Sequence, residues 1–179
     1  MAAQPATTFD DLMDQIKEMA DPSWPPLLAV LDGVEDPHNL GAVIRTAEAA
    51  GAHGVIIPER RAAGLTSAVA KASAGALSHL PVARVGNLAQ AMEKIKEAGI
   101  WLFGLDTQAK TAYSEADWKG PVALVAGAEG RGLRPLVKEQ CDQLVSLPMR
   151  GRVESLNVSV AVGIVLYEIV RQRTRSESL

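Results

Sequence analysis

Three clusters of polar residues stand where chemistry is possible. In Asn39-Leu-Gly-Ala-Val-Ile-Arg45 an amide and a guanidinium lie six residues apart, nearly two helical turns, so both can look toward one side of a helix. A helix capped by Asn39 and carrying a solvated arginine is the simpler account of that spacing alone. In Gly127-Ala-Glu-Gly-Arg-Gly132 three glycines permit positive φ and close approach of backbone to a ligand, and a tight turn needs the same residues. The loop is neither a P-loop nor GxGxxG, and Glu129 would repel a pyrophosphate while suiting a cationic or hydroxyl-bearing ligand. The third cluster, Arg150, Arg152, Glu154, Ser155 and Asn157, stands at the mouth of the apolar run Val158–Tyr167. A cap at Ser155 or Asn157 explains one of those groups and not the charges.

These clusters need a scaffold, and the rest of the chain predicts one. Thr8 to Met19 has the spacing of an amphipathic helix with Thr8 as its cap, and Asp21-Pro-Ser-Trp-Pro-Pro26 breaks the chain after it. From Leu27 short apolar runs alternate with helical patterns. The predicted strands are LLAVLD, GVIIP, PVARV, IWLFGLD, VALVAG and QLVSLP. The predicted helices span Asn39–Ala50, Ser67–Ala76, Leu88–Ala98, about Pro135–Cys141, and about Leu156–Arg173. Such alternation predicts an α/β fold, a mostly parallel sheet with helices on both faces. Ligands bind outside the carboxyl ends of such strands, so the loops Gly33–Asn39, Gly127–Leu133 and Met149–Asn157 are the places for a site. A glycine loop so late in the chain puts any cofactor at the C-terminal half of the sheet.

The domain division expected is a helix and proline-rich linker at 1–26, a main domain at 27–175 and a tail at 176–179. With 47% hydrophobic and 22% charged residues, the composition is that of a globular protein. The net charge of −3 argues against indiscriminate nucleic-acid binding but leaves room for a local rim. Arg60, Arg61, Arg131, Arg134, Arg150 and Arg152 are the candidates for that rim. No signal peptide or membrane-length apolar run is visible. The single cysteine, Cys141, forms neither an internal disulfide nor a zinc cluster, which fits a cytoplasmic setting. His38, His53 and His79 have no carboxylate and nucleophile placed with them for a triad.

In combination and in this order, NLGAVIRTA, LVAGAEGRGL and LPMRGRVESLNVSVAVGIVLYE resemble the three motifs of the SpoU/TrmH group of SPOUT RNA 2′-O-ribose methyltransferases. DGVEDPHNLGA and LYEIVRQR look most like its RlmB-type branch, which methylates a guanosine ribose of 23S rRNA. The resemblance spans about Leu27 to Arg173. It implies a C-terminal trefoil knot, a homodimer, an RNA substrate, S-adenosyl-L-methionine (SAM) as cofactor, and no metal. It also implies that Asn39 and Arg45 are catalytic and that Glu129, Ser155 and Asn157 complete the polar site. Backbone around Gly127, Leu147 and Leu156 would hold SAM, with Ala126, Gly132, Met149 and Ser159 close by. Relatives in that branch carry a separate N-terminal RNA-binding domain, whereas here only residues 1–26 precede the first predicted strand.

Overall fold

A computed structural model describes residues 7–175. Six short runs of mostly Val, Leu, Ile and Ala become strands: β1 (Leu27–Asp32), β2 (Gly54–Pro58), β3 (Val82–Val85), β4 (Trp101–Leu105), β5 (Val122–Gly127) and β6 (Gln143–Val145). They form one sheet in the order β3-β2-β1-β5-β4-β6, and every pairing is parallel. All six residues of β1 are buried, as a central strand covered on both faces requires. Alternation assigns its side chains to two cores. Leu27, Ala29 and Leu31 join one with α2 (Pro37–Ala49), α3 (Ser67–Ala72) and α6 (Val158–Arg175). Leu28 and Val30 join the other with α1 (Phe9–Glu18), α4 (Leu88–Glu97) and α5 (Pro135–Gln140). The expected helix-covered parallel sheet is therefore what forms.

Helix α1 begins as its sequence predicts, with the Thr8 hydroxyl accepting from Asp11 N–H. Its Phe9, Leu12, Met13 and Ile16 are buried against the sheet. The predicted bounds shift elsewhere for identifiable reasons. Helix α2 starts at Pro37, not Asn39, because the Asp36 carboxylate caps it by accepting from His38 and Asn39 N–H. That frees the Asn39 side chain from capping. Helix α3 stops at Ala72, ahead of Ala74 and Gly75, both in the left-handed region. Helix α6 begins at Val158, one residue after Asn157, whose Oδ1 accepts from Ser159 and Val160 N–H. Asn157 is thus its cap and Ser155 lies outside it. Residues 1–6 and the expected tail at 176–179 lie outside the described residues.

Helices α2 and α6 pack side by side in the same direction. Asn157 Nδ2 donates to Asn39 Oδ1 at 3.0 Å near both N-termini. Further along, a Cβ placed on Gly163 would lie 3.5 Å from Thr46 Cγ2. Between β6, at one edge of the sheet, and α6, on the α2 side, the chain runs past the carboxyl ends of β4 and β5. The residues that follow all three strands meet there.

Candidate active site

That meeting place is a cavity of about 310 Å³. Its walls are Leu105–Thr107 at the end of β4, Ala126 to Leu133 from the end of β5 into the glycine loop, and the segment Val145–Leu147, Met149 and Glu154–Leu156. Val158 and Ala161 of α6 close it from behind. The glycine loop folds tightly back on itself: a Cβ on Gly127 would sit 2.1 Å from the Gly132 carbonyl oxygen, so no larger residue fits. Gly132 N–H donates to Ala128 O at 2.8 Å, and Gly130 and Gly132 take φ of +80° and +68°. The three glycines are therefore needed for a hairpin-like wall, and that wall borders the cavity.

Of the predicted residues, Ala126, Gly127, Glu129, Gly132, Leu147, Met149, Ser155 and Leu156 are brought together around this cavity. Asn39, Arg45, Asn157 and Ser159 are not on its wall. Asn39 and Asn157 instead form the bridge between α2 and α6, and the Ser159 hydroxyl donates to Asn157 Oδ1. Arg45 is exposed on α2 and makes no ion pair or hydrogen bond among the described residues.

Sequence reasoning missed Asp106 and Lys138, which form an ion pair of 2.6 Å at the cavity. The hydrogen bond from Lys138 is the main cause holding the Asp106 carboxyl below its usual range, against the opposing effect of burial. Aspartate after a strand was the available signal; its partner lies 32 positions away in the chain. Arg134 is also corrected: it is no free rim cation, because Asp32 takes its Nε at 2.7 Å. Arg60, Arg61, Arg131, Arg150 and Arg152 remain exposed, with Arg131 on the cavity wall. Burial and the neighbouring Asp142 push the Cys141 thiol up to about 12, so it is a poor nucleophile. No group of His, Cys, Asp and Glu among the described residues could hold a metal.

The cavity suits a ligand that is part apolar and part cationic. Leu105, Leu147, Leu156 and Met149 offer an apolar slot, and Asp106, Glu129 and Glu154 outnumber Arg131 and Lys138. A pyrophosphate would meet those carboxylates; a sulfonium or an ammonium would be attracted by them.

Fold and site together define a class: a doubly wound parallel-sheet protein with a small-ligand cleft at the carboxyl edge of its strands. Residues 26–167 match the SpoU rRNA methylase family, and the chain belongs to that family. It is 52% identical to the 23S rRNA (guanosine-2′-O-)-methyltransferase RlmB of Ralstonia nicotianae over 94% of this chain and 66% of that one. To the RlmB of Pseudomonas syringae pv. tomato it is 49% identical, over 93% of this chain and 64% of that one. The chain thus spans about two thirds of the length of these curated relatives. The crystal structure of the SpoU methyltransferase AviRb from Streptomyces viridochromogenes, in complex with the cofactor AdoMet, superposes with a TM-score of 0.85 at 31% identity. That match covers 96% of this chain and 67% of AviRb. The A. aeolicus TrmH/SpoU tRNA modifying enzyme gives 0.79 at 28% identity, covering 94% and 86%. No helix among the described residues is long and apolar enough to cross a membrane.

Proposed function

We propose that this chain transfers a methyl group from SAM to a ribose 2′-hydroxyl of RNA, and that the target is a guanosine of 23S rRNA in the cytoplasm. The observation that carries the reading is the cavity between the Gly127–Leu133 loop and Ser146–Leu156: it has an apolar slot, an acidic balance and the family's motif residues on its wall. SAM supplies an electrophilic methyl on a positively charged sulfur. The protein's part is to hold that group and to align and activate the alcohol.

Backbone of Ala126, Gly127 and Gly132 on one side, with Leu147, Met149 and Leu156 on the other, would grip the cofactor. Glu129 would face its positive charge. Ser155 would lie at the mouth of the cavity, toward the ribose. Asn157, by capping α6 and bonding Asn39, fixes the two helices that frame the approach. Arg45 would meet the 2′-oxygen as it loses its proton to solvent water. A guanidinium holds its proton too tightly to be a resting base, so it acts by stabilising developing negative charge. Bringing the two reactants into line supplies much of the remaining acceleration.

Arg45 lies off its own chain's cavity wall, and α6 carries an exposed apolar stripe of Val160, Ile164 and Tyr167. Both features favour a homodimer in which Arg45 of one copy serves the cavity of the other. The domain of residues 27–175 would then be the catalytic unit. We read the passage of residues 146–157 beside the glycine loop as the threading of a trefoil knot, which a crystallographic trace of that region checks.

The deciding experiment incubates the protein with tritiated SAM and total RNA, ribosomal and transfer, from cells lacking the enzyme, then maps methylated riboses. A single modified guanosine in 23S rRNA is expected. Label confined to tRNA would move the substrate to the other RNA class, and no label with any RNA would leave a binding module. Light scattering at micromolar concentration is expected to give a dimer mass; a fully active monomer overturns the shared site.

A further inference from the structure

Asp32 and Arg173 are the buried charged residues of the described chain, and Asp32 stands next to the site without lining it. Its side chain is wholly inaccessible, a position where a carboxylate persists only if its oxygens are satisfied. Both are. Oδ1 accepts from Arg134 Nε at 2.7 Å, and Oδ2 accepts from the main-chain N–H of Arg134 at 3.0 Å. The same residue pairs through its backbone register with Gly127. The glycine loop therefore has both ends fixed on one residue: its start by the β1–β5 pairing, its end by the carboxylate.

The loop between those anchors needs such a constraint. Gly130 and Gly132 give it more backbone freedom than any other residue type would, and Glu129, Gly130, Arg131 and Gly132 are exposed. On the far side of the anchor, Gly33 follows Asp32 and brings the chain against Ala128, whose Cβ lies 3.5 Å from where a Gly33 Cβ would be. From there the chain enters α2, which carries Asn39 and Arg45. Asp32 is thus the junction between the cavity wall and the helix of the catalytic arm.

We propose that Asp32 and Arg134 are positioning residues that act through the Gly127–Leu133 loop. Their ion pair holds the loop in the closed shape that admits SAM. This rests on the proposed function only in naming SAM as the ligand. Neither residue touches the cavity, so the effect is on the population of the binding-competent loop. If breaking the pair leaves that shape about one tenth populated, the apparent Kd for SAM rises about tenfold. Turnover at saturating SAM changes little, because bound SAM restores the loop.

The test uses the full chain with Arg134→Gln, Arg134→Lys and Asp32→Asn. Arg134 has a side chain 38% exposed, so its replacements have room to be solvated. Hydrogen exchange of residues 127–133, measured without ligand, is expected to quicken in Arg134→Gln while α2 and β5 stay protected. SAM affinity by calorimetry should weaken about tenfold, with KM for SAM rising in step and kcat nearly kept. Arg134→Lys, which can still reach the carboxylate, should recover part of both, and it serves as the test if the glutamine variant does not fold. Asp32→Asn should behave as Arg134→Gln does. Unchanged loop exchange and unchanged SAM affinity in a folded Arg134→Gln overturn the proposal. So does a loss of kcat with KM unmoved, or a melting temperature that falls in proportion to affinity in all three variants. If the unaltered chain binds no SAM, the functional reading fails, while the exchange measurement still decides whether the pair holds the loop.

Discussion

The two ends of α6 treat polar groups in opposite ways. At its C-terminal end Arg173 is 3% exposed, and its guanidinium donates to the carbonyls of Pro25, Pro26, Trp118 and Gly120 while stacking over Trp24 at 5.1 Å. Burial brings its pKa down to about 10, so it is still charged at neutral pH. At the N-terminal end Asn157 caps the helix and bridges to Asn39, but Ser155 and Glu154 face the cavity, and Arg45 on the neighbouring helix has no partner within the described fold. One end uses its cation to tie residues 24–26 and the loop before β5 to the helix. The other leaves its polar groups directed at a space. The first arrangement satisfies its polar groups within the fold, and the second leaves them available to a ligand.

Removing the clamp should have the largest effect. Arg173→Ala leaves several carbonyls without their donor, at about 1–3 kcal/mol for each that stays buried. A loss of about 4 kcal/mol in unfolding free energy is expected by urea denaturation. A loss under 1 kcal/mol would mean that water replaces the guanidinium and that this end is no clamp.

Arg45→Ala should do the reverse, sparing the fold and removing the reaction. Methyl transfer is expected to fall about 100- to 1,000-fold, with SAM affinity and melting temperature unchanged. If calorimetry shows SAM affinity lost as well, Arg45 belongs to the cofactor site and the contrast between the two ends blurs.

Asn157→Ala touches both sides of the comparison, since it removes a helix cap and the bridge to Asn39. A destabilisation of about 1–2 kcal/mol is expected, together with slower methyl transfer at saturating SAM. A stability loss with an unaltered rate would make Asn157 a cap and nothing more.

The smallest effect concerns His53, beside the clamp. Its Nδ1 accepts the Leu27 N–H at 3.0 Å, so the ring is neutral in the fold. Burial first, and then the charge of Arg173, hold its pKa below 6.5. The unfolded chain therefore takes up the proton before the folded one does. Its stabilising contribution is complete above about pH 6.5 and is lost as pH falls through the lowered folded value. Thermal melts of the unaltered chain should show stability declining from pH 7 toward pH 5, and His53→Asn should flatten that decline. An identical slope in the variant would assign it to other groups.

The sheet and the candidate wall were readable in the sequence to different depths. Strand and helix order followed from period and breakers, because those signals are local: six apolar runs became six parallel strands, and Thr8 capped α1 as its position suggested. The glycine loop was visible as a loop that tolerates close approach, and the family motifs told which side chains to watch. The cap of α2 was misplaced by three residues because Asp36 and Asn39 are both good caps, and the choice depends on Pro37 entering the first turn. Arg134 looked like a solvated cation because nothing in its neighbourhood along the chain needed it.

Residue order alone determined an α/β fold, the late position of its glycine loop, the apolar α6 stretch and the kinship of its motifs. Only the tertiary structure decided which polar groups are already satisfied. It joined Asp32 to Arg134 across 102 positions, Asn39 to Asn157 across 118 and Arg173 to Pro25 across 148, and it left Arg45 free. The physical reason is range. Helix and strand preferences depend on neighbours a few residues away, whereas a buried charge or amide is settled by whichever group the packed sheet brings within about 3 Å of it.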